Sequence, residues 1–243
     1  MALKKKQFVE IDFTGRIKDT NEIFDTTDKK AAKSIGVEKV KPLVLCIGEG
    51  MLPEKFDEAL EGKEVGKEYS LDLSPKDAFG ERKKDLVKML PLKIFTDKGV
   101  MPYRGLMLNL DDMIVRIVSV SGGRVITDFN NPLAGKSIIY AFKINRTVDD
   151  PKAQIESLVE NMLKIDASKV GIEVNGKKAV IEFSLKENEF KILDAVSKPF
   201  SEKVKDLVDV ELELKNKASQ GNKASQGNKA SPNAKESKIK PEK

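Results

Sequence analysis

Histidine and tryptophan are absent from this 243-residue chain, and cysteine occurs once. Without His there is no imidazole base, no Ser-His or Cys-His pair and no imidazole metal ligand. With one Cys as well, a structural zinc site is excluded in practice, and no EF-hand spacing offers carboxylates to calcium. No cofactor or metal is therefore expected. The single Cys46 cannot form an internal disulfide and suits a reducing cytoplasm. It lies inside Leu43-Val44-Leu45-Cys46-Ile47, an apolar run that reads as a buried strand. No run of 18 apolar residues exists, so no membrane span is expected. Met1 to Gln7 is charged with no apolar core behind it, unlike a signal peptide.

What is present is a surface-rich globular composition, 40% hydrophobic and 34% charged, long enough for one large or two modest domains. The net charge of +5 is not spread along the chain. Residues 216–243 carry seven Lys and two Glu, so the rest is formally neutral. That stretch repeats Lys-Ala-Ser-Gln-Gly-Asn and has too little apolar content to offset ordering entropy, so a disordered tail is expected. Lysines without interleaved aromatics give at most weak, unspecific contact with nucleic acid.

In chain order, Gln7 to Ile17 reads as a strand with Val9, Ile11 and Phe13 on one face. Thr20-Asn21 makes a turn before Ile23 to Thr27, and Asp28 to Ser34 is a short helix. Gly48 and Gly50 are turn residues, because no Lys-Ser/Thr follows to make a phosphate loop. Pro53, the apolar face of Phe56, Ala59 and Leu60, and the closing Gly62 describe a two-turn helix. Gly66 to Ser74 alternates as a strand, and Pro75 to Gly80 is a loop. Leu86 to Phe95, turns at Gly99 and Gly105, and Asp112 to Val120 form a β-rich stretch too long for a simple loop. Val125 to Phe129 and Ser137 to Ile144 are strands on either side of an Asn130-Asn131-Pro132 break. Beyond Asp150-Pro151 come an amphipathic helix, a hairpin around Asn175-Gly176, a helical stretch from Glu202 to Leu207, and an alternating strand from Val208 to Leu214.

On these grounds alone Phe13, Phe24 and Phe56 are core residues and Asp25 is a turn residue. Their joint order changes that reading. Asp128-Phe129-Asn130-Asn131-Pro132-Leu133-Ala134-Gly135-Lys136 resembles the Asp-x-Asn-His-Pro-Leu-Ala-Gly-Lys segment of SlyD-like prolyl isomerases, a branch of the FKBP family, with Asn131 in place of His. Val9-Glu10-Ile11-Asp12-Phe13-Thr14-Gly15 followed by Phe24-Asp25-Thr26-Thr27 is similar to the family's opening signature. Pro75 to Gly80 is similar to its Pro-x-x-Ala-Tyr-Gly loop, with Phe79 in place of Tyr.

The resemblance implies an α+β fold: an antiparallel sheet wrapped on a short helix, split as residues 1–85 and 130–147 around an inserted domain, 86–129. A carboxy-terminal domain, 148–215, is similar to that of long archaeal members, where it mediates dimerisation, so a homodimer is an expectation. The branch often has a metal-binding tail rich in His and Cys, which is missing here. By resemblance Phe13, Phe24, Phe79, Tyr140 and Asp25 form the catalytic pocket, Asp25 standing near the rotating carbonyl. Leu43, Met51, Leu52 and Phe56 complete the substrate wall, with the Leu52 N–H anchoring a substrate carbonyl. Leu52-Pro53-Glu54-Lys55 departs from the family's Ile-Pro-Gly by replacing the Gly, and Phe79 lacks a hydroxyl. Met101, Tyr103, Leu106 and Met113 are expected to present the insert's chaperone surface to unfolded, proline-containing polypeptides. The expected function is prolyl isomerisation in folding chains with chaperone action. The alternatives are a holdase with a vestigial pocket and a protein that docks on RNA through its tail.

Overall fold

The computed structural model describes residues 2–110, 113–185 and 187–216. The expected disordered tail lies outside them from residue 217 onward. The chain divides after Gln154 into two compact units, a boundary seven residues beyond the expected 147.

The first unit opens with β1 (Phe8–Ile17), β2 (Ile23–Thr26), α1 (Lys29–Ser34), β3 (Leu43–Cys46), α2 (Glu54–Leu60) and β4 (Glu68–Leu73). Long β1 is the hub. Its first half pairs with β3 and its second half with β2, while its other edge pairs along its length with β9 (Ile138–Thr147), which in turn pairs with β4. All these pairings are antiparallel, and α2 lays Phe56 and Leu60 into a core with Val9, Ile11, Leu45, Tyr140 and Ile144. The sequence sets this up through period-two burial in β1, whose alternate residues from Val9 to Ile17 are buried. Asp28 caps α1, its carboxylate accepting from the Lys30 and Ala31 N–H groups.

Between β4 and β9 stands a second sheet of β5 (Val87–Pro91), β6 (Met107–Leu110), β7 (Met113–Ser121) and β8 (Arg124–Asp128), in the order β5-β8-β7-β6. One short helix, α3 (Lys93–Thr96), buries Phe95 against Ile117 and Val125 on one face. The sheet has its own small core and joins the larger sheet through two adjacent chain crossings. There, Asn130 acts as a rivet. Its side chain accepts from the Lys83 N–H at 2.8 Å and donates to the Lys83 carbonyl at 2.9 Å, reproducing a strand pairing with one amide. It also donates to Asp128, which holds Arg82 with its other oxygen.

The α+β class is as expected. The second unit carries a β-α-β element: β10 (Val170–Asn175) pairs antiparallel with β11 (Lys178–Phe183), and β12 (Glu211–Asn216) returns parallel to β11 after a helix. The expected hairpin at Asn175-Gly176 forms, with Asn175 as the last residue of β10, paired with Lys178, and Gly176-Lys177 as the turn. The helix α5 (Glu187–Val208) is much longer than the 202–207 stretch, because it runs through Pro199. It leads off from α4 (Pro151–Leu158) only after a π-helical turn at Val159–Leu163 and the β10–β11 hairpin. No described helix is long and apolar enough to cross a membrane.

Candidate active site

Glycine is the pivot of the site. In one row across the large sheet, Gly15 of β1 stands opposite Asp25 on β2 and opposite Tyr140 on β9. The register of β1 and β2 slips just past that point: Gly15 pairs with Asp25 but Arg16 with Ile23, leaving Phe24 as an extra residue. Such a bulge re-aims side chains. Here it lets the Phe24 ring lie over Gly15, within 2.5 Å of where a Cβ would sit, with the Tyr140 ring 2.9 Å from the same point.

Around this row the aromatic side chains form one connected wall. Phe24 meets Tyr140 edge to face at 5.6 Å and meets Phe79 edge to face at 5.9 Å. Phe13 touches both Phe56 (6.3 Å) and Tyr140 (6.0 Å), and Phe56 lies 4.5 Å from Tyr140. Phe13, Phe56 and Tyr140 are buried. Phe24, Phe79, Leu43, Met51 and Leu52 are half-buried and pack on that core. All nine expected pocket residues thus gather in one region, with Asp25 at the rim.

Two polar groups stand in this apolar setting. Burial pushes the Tyr140 hydroxyl well above its ordinary pKa, helped by the negative charge of Asp25, so it stays a protonated donor. The Asp25 carboxyl keeps an exposed flank, but lost hydration raises its pKa above 3.8 despite the opposing Thr26 backbone hydrogen bond. A third group is the Leu52 N–H, which has no hydrogen-bond acceptor among the described residues.

The loops that hold the walls are fastened locally. Asp57 is buried and uses both carboxylate oxygens, accepting from the Gly48 N–H at 2.8 Å and the Gly50 N–H at 2.9 Å. This fixes the turn that carries Met51 and Leu52. Thr27 accepts from the Phe13 N–H and donates to Asp12, securing the Phe13 backbone. The Phe79 loop closes with Gly80 N–H donating to the Pro75 carbonyl at 2.7 Å, while the Gly80 carbonyl accepts from Gly135 at 2.8 Å. The elbow is braced by Asn131, whose side chain accepts from the Leu133 N–H, so Asn serves here as an Asx turn residue.

An apolar aromatic wall with a neutral phenol and an unengaged backbone N–H beside it offers no activated nucleophile. It suits a reaction in which no bond breaks and a twisted, less polar amide must be preferred over a planar one. Comparison with known proteins agrees. The model of FKBP-type peptidyl-prolyl cis-trans isomerases matches residues 1–93, and that of the FKBP26 IF domain matches 88–133. The chain carries an FKBP-type peptidyl-prolyl cis-trans isomerase domain.

Its similarity to curated FKBP-type relatives extends over much of the chain. It is 28% identical over 146 residues to the short-type peptidyl-prolyl cis-trans isomerase of Methanocaldococcus jannaschii, covering 58% of this chain and 92% of that protein. The SlyD isomerase of Treponema pallidum is 29% identical over 163 residues, 64% of this chain and 85% of the relative. That of Vibrio cholerae is 32% identical over 118 residues, 42% of this chain and 53% of the relative.

For an FKBP-type isomerase the most informative residues missed by sequence reading are Gly15 and Asp57. Gly15 reads as a strand bend, and only the bulge reveals why a side chain is excluded. Asp57 reads as a polar position of an amphipathic helix. The two nearby glycines, seven and nine residues before it, were the available clue. In the insert, Met101, Tyr103 and Met113 are exposed, whereas Leu106 is half-buried against the Phe95 core. Its backbone is held against β7, the carbonyl accepting from the Ile117 N–H at 2.8 Å. Met89, Met107 and Ile114 are exposed in the same insert and were not anticipated.

Proposed function

We propose that the protein couples prolyl isomerisation to the capture of unfolded chains, with the insert as the capturing element. One observation carries this reading: most of the exposed large apolar side chains of the described chain, among them Met89, Met101, Tyr103, Met107, Met113 and Ile114, fall in the insert. A monomeric surface seldom concentrates such groups unless they bind something, and flexible methionines suit varied partners.

In this scheme the proline ring of the client enters between Phe24, Phe79, Phe56 and Tyr140. The Leu52 N–H donates to a client carbonyl. Rotation about the X-Pro bond, opposed by a barrier of about 18–20 kcal/mol, breaks amide resonance and makes the nitrogen pyramidal and less polar. Aromatic walls favour that state because they offer nothing to the planar amide's dipole. Each decade of acceleration needs about 1.4 kcal/mol of preference for the twisted form. Asp25 faces the carbonyl carbon at the rim. Tyr140 fixes the client by donation from its neutral hydroxyl. Binding to the insert raises the local concentration of X-Pro bonds at the pocket.

The domain assignment follows: 1–85 with 130–147 as the isomerase, 86–129 as the capturing insert, and 148–215 as a carboxy-terminal domain for self-association. Within the latter an apolar hollow of about 780 Å³, bordered by Met162, Val196 and Phe200, supports pairing with a second copy. The single, buried Cys46 forms no disulfide among the described residues, which fits a cytoplasmic setting.

Replacing 86–129 by a short turn tests the coupling. Turnover of a short proline peptide should fall only slightly, while acceleration of refolding of a proline-limited protein should fall at least tenfold. Equal losses on both substrates would overturn it.

A further inference from the structure

The insert presents one face without a covering layer, and that face is basic as well as apolar. Arg116 of β7 stands opposite Met107 of β6 on one side and opposite Asp128 of β8 on the other. Ile114, two residues along β7, projects from the same face and is strongly exposed. Together with Arg104 and with Lys136 of the elbow, these side chains border a cleft of about 560 Å³.

The charges in this cleft do not cancel. Among the described residues Asp128 is its one acid, and both of its oxygens are engaged. One accepts from the backbone and side-chain amides of Asn130, the other from Nε and Nη2 of Arg82 at 3.1 and 2.6 Å. Arg104, Arg116 and Lys136 form no ion pair with any described residue. Three cations therefore edge an apolar trough whose outer border, β6, is a sheet edge. A guanidinium beside exposed apolar groups favours a carboxylate that brings an apolar neighbour with it.

We propose that this cleft selects client segments in extended form that carry Asp or Glu two residues from a large apolar side chain. Alternate residues of an extended strand share one face. That spacing sets the acid over Arg116 and Arg104 while its neighbour covers Ile114 and Met107. The proposal rests on the insert being the capturing element and adds the chemistry by which it chooses. Acidic stretches of unfolded chains are thereby brought next to the elbow, and the elbow continues directly into the wall of the proline pocket at Leu133.

The test uses the full chain and two labelled peptides without proline, equal in length and in apolar residues. One carries Glu and the other Lys at the alternate positions, and binding is read by fluorescence anisotropy. The Glu peptide should bind about tenfold more tightly at low salt, three exposed pairs giving a preference of that order. The preference should shrink at high salt. It should disappear in Arg104→Ser/Arg116→Ser and invert in Arg104→Glu/Arg116→Glu, a gain that unfolding cannot mimic. The lysines of 217–243 remain in all three proteins, so they cannot account for the change. Equal binding of both peptides to the wild type, or a preference that survives in both variants, overturns the proposal while leaving capture by the insert intact. Binding of neither peptide overturns both.

Discussion

Gly15 and Phe24 compete for the same space: a Cβ on Gly15 would lie 2.5 Å from the Phe24 Cζ. The aromatic wall therefore depends on a missing side chain in the strand beneath it. Gly15→Ala must push Phe24 or Tyr140 aside. Overpacking of this kind costs about 1–3 kcal/mol, and the displaced rings should lower peptide turnover by at least tenfold. Turnover with stability, measured by denaturant unfolding of the same sample, checks both.

Asp25 and Tyr140 stand on either side of that glycine. Because the folded protein raises the pKa of Asp25 above 3.8, its ionised form opposes folding. The favourable state is complete below the unfolded value and is lost as pH rises through the raised folded value. Asp25→Asn should therefore raise the melting temperature at neutral pH while reducing turnover. In the wild type, turnover should fall as pH is lowered through the same raised value, and the Asn variant should lack that limb. Parallel melting and pH–rate curves decide it.

At the base of the insert the sign is reversed. Burial works to raise the pKa of Asp128, but hydrogen bonds from Asn130 and the Arg82 guanidinium outweigh it and hold the carboxyl below 3.8. Its contribution is complete above pH 3.8 and is lost as pH falls through the lowered value. Acidification should loosen the insert first, seen as faster hydrogen exchange in β5 and β8 than in β1 and β9. Asp128→Asn should remove that pH dependence.

Asn130→Ala removes the amide that joins Lys83 to the returning strand. The Lys83 N–H and carbonyl lose these hydrogen-bond partners, at a cost of about 1–3 kcal/mol. The hydrogen bonds of this rivet run to Lys83 and Asp128, and not to the pocket residues on β1 and β9. Refolding assistance should suffer more than short-peptide turnover, and a side-by-side assay checks it.

Much of this was legible in the sequence because several signals agreed. The alternation of β1 and β4, the Asn175-Gly176 hairpin and the helix after Pro53 are local, and local signals survive folding. The pocket aromatics were findable only through their joint order, since each Phe alone reads as core. The bulge at Phe24 was not legible, because a register slip depends on which strand lies opposite. Nor was the rivet: Asn130 reads as a strand breaker until Lys83, 47 residues earlier, is placed beside it. The reach of α5 was hidden by Pro199, ordinarily a helix boundary, although its amphipathic face continues on both sides. The basic trough escaped notice because Arg104, Arg116 and Lys136 come from separate elements of a chain whose net charge lies in its tail.

The most direct measurement is the cis-trans exchange rate of a short X-Pro peptide, read by NMR with the wild type, Phe79→Ala, Asp25→Ala and Tyr140→Phe. The account predicts exchange accelerated by the wild type and slowed in all three variants, most strongly where a wall of the pocket is lost in Phe79→Ala. Exchange accelerated equally by all four proteins would contradict it and place the active site elsewhere in the fold.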